Sequence, residues 1–479
     1  MAKAKKKAPS PKKRPAAKKR PVAKKQPAAK KRLVKPRAKA AAGTPDANLL
    51  ADLMKWATAA GADSAEAQYG VGESISVSQR LGAREALESS EGGGLRLRAF
   101  VGQRQAYVST TDFDPKSLRA LAERVVSMAR AVPEDPYCGI APKELLAHQW
   151  PDLDLADKRR PSAKALIELA SEAEDAARAV KGVTNSEGAS ASWSRSTFLL
   201  VTSNGFSGGY RTSGYSLSCA VLAGEGTGME RDYEWTSAVH VEDLMKASAV
   251  GRNAGKFAVR RLNPKKAVSA RLPVVYDRRV SSSLIGHLAS AVNGRAVARG
   301  TSFLKDSMGA KLFADGIRIV DNPLRKRGLG SRPFDGEGLP CKRMAVIDDG
   351  MLTTWLLDLA SARQLNLKPT GNGPGGGTSN FTLEKGKLSF DELIGDIKSG
   401  LFITDMIGFG VNGVTGDYSR GASGFWIENG KLTYPVSGIT VAANLKDMFL
   451  AMTPANDLQF KGSTNAPTVR IEGMTIASS

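Results

Sequence analysis

The spacing of apolar residues along the chain alternates between a helical and a strand-like period. Residues 49–60, which follow the helix-start signal Thr44-Pro45-Asp46, and residues 118–132 repeat apolar side chains every three to four positions. Between them, residues 69–77 alternate apolar and polar positions, and residues 92–101 form a strand-like run entered through glycines. The pattern predicts a helix–sheet–helix unit.

The next part of the chain has a similar pattern after a Pro-rich connection. Residues 133–160 have no regular period and are predicted to be a linker. Helices are predicted for residues 162–180 and near residues 242–261. Asn204-Gly205 lies between two strand-like runs, which is a strong signal for a β-hairpin.

From Pro273 onward, short strand-like runs between glycine turns dominate the pattern. Residues 273–276 predict a buried strand and residues 280–292 predict a helix. We therefore expect an α+β protein. An N-terminal α/β region, with helices packed on sheets, precedes a β-rich C-terminal domain that is barrel-like or sandwich-like.

The length also indicates several domains, because 479 residues are too many for one hydrophobic core. The changes of pattern predict a tail at 1–43, an N-terminal α/β domain at 44–135, a middle α/β domain at 136–262 and a C-terminal β-rich domain at 263–479.

The positive charge is concentrated in the first 42 residues. They hold 18 of the 69 Lys and Arg and no Asp or Glu, which leaves 51 basic and 47 acidic residues in the rest of the chain. A Lys/Pro/Ala-rich segment has little to bury and its charges repel, so a disordered tail is predicted. It is either an arm that binds nucleic acid without sequence specificity or a solvated tail that aids solubility.

Cysteines and histidines are few. The chain contains only Cys138, Cys219, Cys341, His148, His240 and His287. Sparse cysteines are typical of a reducing cytoplasm, and no run of 18 apolar residues predicts a membrane span. No HExxH, HxH or CxxC spacing occurs, which argues against a histidine-rich zinc site.

Three short features are candidates for chemistry. Gly371–Gly377 lacks the ending of a phosphate-binding loop, so a tight or mobile turn is predicted, one that also lets an extended peptide approach closely. Asp335 and Glu337 could bind a cation, although a turn stabilised by Asp and Gly is the simpler interpretation. Cys341 is expected to be a structural thiol, and His287 a packed helix residue.

Several segments resemble the TldD/PmbA family. Thr202–Phe206, with Tyr210-Arg211, is similar to the second domain of that family. Motifs similar to the C-terminal domain of its PmbA/TldE branch are Ala298–Leu304, Gly330–Gly338, Ser361–Leu365, Thr370–Asn372, Asn412–Gly430, Ala466–Arg470 and Gly473–Thr475.

The resemblance implies two homologous subunits that pair around an internal chamber, where the TldD-like subunit binds zinc through an HExxxH helix and a distal cysteine. Here His287 matches the first His of that motif, but Leu288 replaces the Glu and Val292 replaces the second His. Residues 456–467, where the cysteine would lie, contain none. The resemblance therefore implies a TldE-like subunit with no catalytic residue, no metal and no other cofactor of its own.

Such a subunit would form part of a chamber that binds unfolded peptides for cleavage by a zinc-bearing TldD-like partner, and it could also pair with itself as a homodimer. The candidate peptide contacts are Gly375, Gly376, Asn412, Asp417, Tyr418 and Arg420. For Thr415–Asp417, a turn without any contact to substrate is the alternative.

Two other functions stay open. One is an independent hydrolase that uses Ser, Cys341 or acidic residues, which requires a nucleophile and a base within hydrogen-bond reach. The other is a nucleic-acid-associated protein recruited through residues 1–42, whose binding would fall steeply with salt.

Overall fold

The computed structural model describes residues 47–478. The predicted disordered tail, residues 1–43, and the helix-start signal Thr44-Pro45-Asp46 lie outside these residues. Within them, no helix is both long enough and apolar enough to cross a membrane.

The first half of the described chain forms helices around long strands. Its elements are α1 (Ala47–Ala59), β1 (Ser64–Arg80), β2 (Ala83–Val101), β3 (Arg104–Thr110), α2 (Pro115–Ala131), α3 (Ala163–Arg178), β4 (Val183–Thr202), β5 (Ser207–Ala223), β6 (Glu230–Ala238) and α4 (Ala247–Arg260).

One antiparallel sheet contains all of these strands, in the order β3-β2-β1-β4-β5-β6. The long pairing of β1 with β4 joins the predicted N-terminal and middle domains in this single sheet. Helices α1 and α2 pack around Tyr69 at one end of β1, and α3 and α4 pack around Val77 at the other end. The position of the boundary between the two domains stays a prediction.

Local signals determine the ends of several elements. The Asp114 carboxylate caps α2, because it accepts hydrogen bonds from the backbone N–H groups of Lys116 and Ser117. Gly205, with a φ of +102°, turns the chain between β4 and β5. The hairpin predicted from Asn204-Gly205 is confirmed.

The predicted linker, residues 133–160, contains one short 3₁₀ turn and no strand. It is nevertheless held in place by the C-terminal region. The Arg363 guanidinium donates hydrogen bonds of 2.9–3.1 Å to the carbonyl oxygens of Tyr137, Gly139 and Ile140. These hydrogen bonds attach residues 137–140 of the segment to a helix of the C-terminal region.

The second half of the described chain consists of short helices and two further sheets. Its elements are β7 (Ala270–Tyr276), α5 (Arg278–Ala291), α6 (Gly294–Ala298), β8 (Ile319–Asp321), β9 (Met344–Asp348), β10 (Met351–Leu352), α7 (Leu359–Gln364), β11 (Phe381–Leu383), α8 (Phe390–Ile394), β12 (Ser399–Ile407), β13 (Asp417–Glu428), β14 (Lys431–Asn444), α9 (Leu445–Leu450), β15 (Met452–Pro454), β16 (Thr464–Asn465) and β17 (Val469–Ser478).

Five of these strands close into a barrel. The order is β14-β13-β12-β7-β17, and β14 also pairs with β17, for example at Val441 opposite Ile476. A small sheet in the order β10-β9-β8-β11-β16 lies in the same domain. Helix α5 contributes Leu284 and Leu288 to the core shared by the two sheets. The predicted β-rich, barrel-like domain is confirmed.

Candidate functional site

The degenerate metal-site positions, His287, Leu288 and Val292, lie in and just after α5, a helix that the Asp277 carboxylate caps through the backbone N–H of Arg279. Leu288 and Val292 are fully buried in the hydrophobic core. His287 lies on a different face of the helix and is only partly buried. These side chains do not fit a zinc ion, because two aliphatic groups offer no ligand atom and one imidazole is not a site.

The structure brings His287 together with two of the candidate peptide contacts on β13. Its ring meets the Tyr418 ring edge-on, with 5.9 Å between centroids. Its Nε2 atom, like Nε of Arg420, is buried without a hydrogen-bond partner in the described part of the chain. Burial, together with the positive charge of Arg420, lowers the pKa of His287, so the ring is neutral at physiological pH.

The Tyr418 phenol also contacts a neighbouring strand of the barrel. Its oxygen lies 3.5 Å from Sδ of Met406, and burial raises its pKa. Tyr276, which shares a side-chain hydrogen bond with Tyr418, and Met406 are neighbours that the sequence analysis missed, because each lies on another strand and no local signal marks it. The role of the cluster in binding peptide stays a prediction.

Segment 456–467, which would carry the distal cysteine, faces a different part of α5. A small, partly open pocket of about 30 Å³ lies between them, lined in part by Arg278, Ser282 and Lys461. The Lys461 ammonium lies 2.7 Å from the Glu234 carboxylate. The contact between α5 and segment 456–467 is therefore lined by positive side chains that already pair with acidic residues. In residues 47–478, no group of three or more His, Cys, Asp or Glu is arranged to hold a metal ion.

Asn412 and Asp417 form the turn that precedes β13. Oδ1 of Asn412 accepts hydrogen bonds from the backbone N–H groups of Val414 and Thr415. The Asp417 carboxylate accepts from the Thr415 hydroxyl at 2.6 Å and from the Asn444 amide at 3.2 Å, and these bonds lower its pKa. Both side chains therefore make hydrogen bonds to other groups of the protein.

The end of β12 and the connection from it to β13 present apolar side chains to solvent. Phe409 is fully exposed, and Ile407 and Val414 are largely exposed. An open pocket of about 560 Å³ lies between Phe409 and Ser419. The sequence analysis missed this feature, although apolar residues interleaved with glycines in residues 407–411 were a possible signal. Contiguous exposed apolar groups are typical of surfaces that bind other molecules.

The glycine-rich segment Gly371–Gly377 is a tight turn fixed by its neighbours. The Asn293 amide donates to the carbonyl oxygens of Gly375 and Gly376 at 2.7 and 2.9 Å. The backbone N–H of Gly375 donates to the Asp358 carboxylate. These backbone groups are therefore occupied within the protein.

Two carboxyl groups lie buried beside this segment. The Asp335 carboxylate accepts from the backbone N–H groups of Glu337, Leu339 and Gly373, so the predicted turn is present. Burial raises the pKa of Asp335. Burial, with the negative charge of Asp335 next in effect, raises the pKa of Glu337 to about 8. Glu337 is therefore largely protonated at neutral pH.

The cysteines Cys219 and Cys341 are not activated as nucleophiles, and His240 contacts Asp154 rather than either thiol. Nε2 of His240 lies 3.0 Å from the carbonyl oxygen and 3.2 Å from the carboxylate of Asp154. Burial raises the pKa of Cys341 to about 11 and that of Cys219 to about 12. A nucleophilic thiol requires the opposite shift.

Comparison with known proteins covers most of the chain. Residues 269–478 match the PmbA/TldA metallopeptidase C-terminal domain, residues 156–262 match the central domain, and residues 65–129 match domain 1. The chain is 39% identical over 417 residues to the metalloprotease PmbA of Escherichia coli O157:H7, which covers 87% of this chain and 92% of that protein. It is 35% identical over 427 residues to a PmbA homologue of Haemophilus influenzae, which covers 88% and 94%.

Solved structures share the fold. A putative modulator of DNA gyrase from Bacteroides thetaiotaomicron superposes with a TM-score of 0.84 at 28% identity, over 90% of this chain and 98% of that one. TldE from Thermococcus kodakarensis superposes with a TM-score of 0.81 at 17% identity, over 90% and 100%. At 17% identity, the second match is evidence for the fold alone.

Proposed function

The chain belongs to the PmbA/TldD metallopeptidase family, and we propose that it is the non-catalytic, metal-free subunit of a cytoplasmic peptidase complex. Its partner is a TldD-like subunit that carries the zinc. The burial of Leu288 and Val292 supports this most directly. A zinc site at these positions would need a carboxylate and an imidazole inside an apolar core, where unpaired polar groups are costly.

The charges near α5 support the same proposal. Arg278, Arg279 and Lys461 line the contact between α5 and segment 456–467. Each of them pairs with an acid, Arg278 with Asp457, Arg279 with Asp232 and Lys461 with Glu234, so these carboxylates are not free to bind a divalent cation. A subunit without a metal site would contribute to the complex by binding the substrate or the partner subunit.

The proposed contribution is to bind unfolded peptides. Such peptides expose the apolar side chains that folded proteins bury, and Ile407, Phe409 and Val414 offer an exposed apolar counterpart. The Tyr418 side chain, which is 2% exposed, lies beneath the adjoining pocket, and His287 contacts it from α5. Without its partner, the chain would pair with itself as a homodimer.

The experiment compares the purified chain alone, a TldD-like subunit from the same cell alone, and the two mixed. We expect no bound zinc and no peptidase activity in this chain, and cleavage of an unfolded peptide in the mixture. Light scattering gives the stoichiometry of each sample. Stoichiometric zinc, or chelator-sensitive cleavage, in this chain alone would refute the proposal.

A second function has support in composition. The 18 basic residues among the first 42 would attract nucleic acid, and one structural neighbour is described as a putative modulator of DNA gyrase. We expect such binding to be lost at moderate salt and to require residues 1–42. Electrophoretic mobility shifts with and without this segment test it. This activity is compatible with the peptidase role.

An independent hydrolase has less support. The pKa values of Cys219 and Cys341 are raised, and His240 is engaged by Asp154. The raised pKa values keep both thiols protonated, and within residues 47–478 no Ser or Cys side chain makes a hydrogen bond to His240 or His287, so no nucleophile is paired with a base.

A further inference from the structure

A groove of about 590 Å³ lies over the small five-stranded sheet, on the opposite side from the hydrophobic core. Side chains alternate across a strand, so Val320 and Thr382 face the groove, whereas Ile319 and Leu383 face the core. Residues 458–460 form a wall of the groove.

The lining is strongly basic. Arg325, Arg343 and Lys385 are its cations, and Glu384 is its acidic group. Arg343 pairs with Glu384 at 2.8 Å. Among residues 47–478, no ion pair with Arg325 or Lys385 is found. The groove therefore holds two cations without a matching acid.

Arg325 is the more informative of the two. Its guanidinium lies over the Phe460 ring, 3.6 Å from the centroid, and burial lowers its pKa. Taking a guanidinium partly out of water without an acidic partner is costly. The ring beneath it is half exposed, at 50%. A bound anion would supply the missing partner, because a guanidinium binds carboxylates through two parallel hydrogen bonds.

We propose that this groove, the Arg325 groove, binds a carboxylate group of a peptide substrate, with Arg325 as its principal contact. The carboxylate comes from an acidic side chain or from the peptide C-terminus. Leu458 and Phe460 offer apolar surface for the side chains that flank it. This inference rests on the proposed role in peptide binding, and it adds a preference for acidic peptides to that role.

Binding of a dansyl-labelled unfolded peptide to the full chain alone tests the inference, by fluorescence anisotropy at about 0.15 M salt, because a dansyl label carries no carboxylate. We expect Arg325→Gln to raise the Kd about tenfold, and Lys385→Gln to raise it about threefold. Arg318→Gln is the matched control. Arg318 is exposed in the same part of the domain, pairs with Asp348 at 2.8 Å and does not line the groove, so a change below about twofold is expected.

Peptide variants distinguish the sources of the carboxylate. Weaker binding after C-terminal amidation identifies the C-terminus, and weaker binding after Asp→Asn and Glu→Gln changes identifies side chains. Either result supports the proposal. Unchanged affinity for a peptide that lacks both kinds of carboxylate overturns it. Unchanged affinity of both Arg325→Gln and Lys385→Gln overturns it as well.

A photoreactive peptide locates the site independently of the basic tail, which all variants share. We expect crosslinks to residues 320–325, 382–385 and 458–460. Crosslinks to residues 1–42 alone would refute the groove. No peptidase is used in these measurements, so cleavage by the two-subunit mixture can succeed while the groove fails, or the reverse. Equal melting temperatures of the variants show that each is folded.

Discussion

At the scale of single residues, Glu337 is a buried carboxyl group of the C-terminal domain whose pKa is strongly raised. It is 6% exposed, it lies near Asp335, and it accepts a hydrogen bond of 2.9 Å from the backbone N–H of Leu359. Its folded-state pKa of about 8 lies above the ordinary value of 4.5. Between pH 4.5 and about pH 8, the Glu337 carboxyl group is therefore protonated in the folded chain and ionised in the unfolded chain.

The pH dependence of stability follows from this difference. The contribution of Glu337 is fully present below about pH 4.5 and is lost as pH rises through about 8, with a slope of at most about 1.4 kcal/mol per pH unit. We expect Glu337→Gln, which keeps an acceptor for Leu359, to lose less free energy of unfolding than wild type between pH 5 and pH 9. Urea titrations across this range measure it.

The control for this prediction is Glu384→Gln, which changes a more exposed carboxylate paired with Arg343. Its pH profile should follow that of wild type. If Glu337→Gln also followed wild type, the carboxyl group would be ionised in the folded chain, contrary to the prediction.

At the scale of elements, the contact between α3 and α4 depends on small residues. A Cβ atom at Gly251 would lie 1.8 Å from the carbonyl oxygen of Ala173, and one at Gly255 would lie 2.9 Å from that of Ala177. Only glycine allows the two helices to approach this closely. The helical period of both segments was predicted, but their close approach was not, because it depends on the partner helix.

Two glycine substitutions in helices should have opposite effects. Gly251→Ala is expected to destabilise the protein by about 3 kcal/mol or more, because a helix must shift. Gly286→Ala in α5 should stabilise it by about 0.5–1 kcal/mol, since its Cβ would meet open space and alanine favours helix. Chemical denaturation measures both. A small loss for Gly251→Ala would mean that the α3–α4 contact is loose.

At the scale of the whole molecule, a buried ion-pair network joins the six-stranded sheet to the C-terminal domain. Asp232 on β6 lies 2.8 Å from Nη1 of Arg279 on α5 and 3.8 Å from Nη1 of Arg261. The Arg261 guanidinium also lies 3.4 Å from Asp405 on β12. All of these side chains except Asp405 are almost fully buried, so the network fixes one region on the other.

Removing the central acid should destabilise this junction. We expect Asp232→Asn to cost about 3–5 kcal/mol, because it leaves buried guanidinium groups without their full charge partner. Asp348→Asn, which breaks the exposed pair with Arg318, should cost at most about 1 kcal/mol. Thermal unfolding compares the two. Equal, small losses would show that water reaches the junction.

The family resemblance and the fold class were predictable from the sequence. Motifs such as Asn412–Gly430 identified the family, and the periods at residues 118–132 and 280–292 predicted α2 and α5. The β-rich C-terminal domain was also predicted, but its pattern could not distinguish a barrel from a sandwich. That choice depends on the pairing of β14 with β17, which lie far apart in the sequence.

The candidate site was predictable only in part. The sequence by itself determined that ligand-forming residues are absent at Leu288 and Val292, since residue identity is enough for that conclusion. Only the tertiary structure decided that His287 meets Tyr418, that Glu337 is buried beside Asp335, and that Arg325 lies over Phe460. Such pairs join residues from separate segments, and burial, charge and pKa depend on all the neighbours that folding brings together.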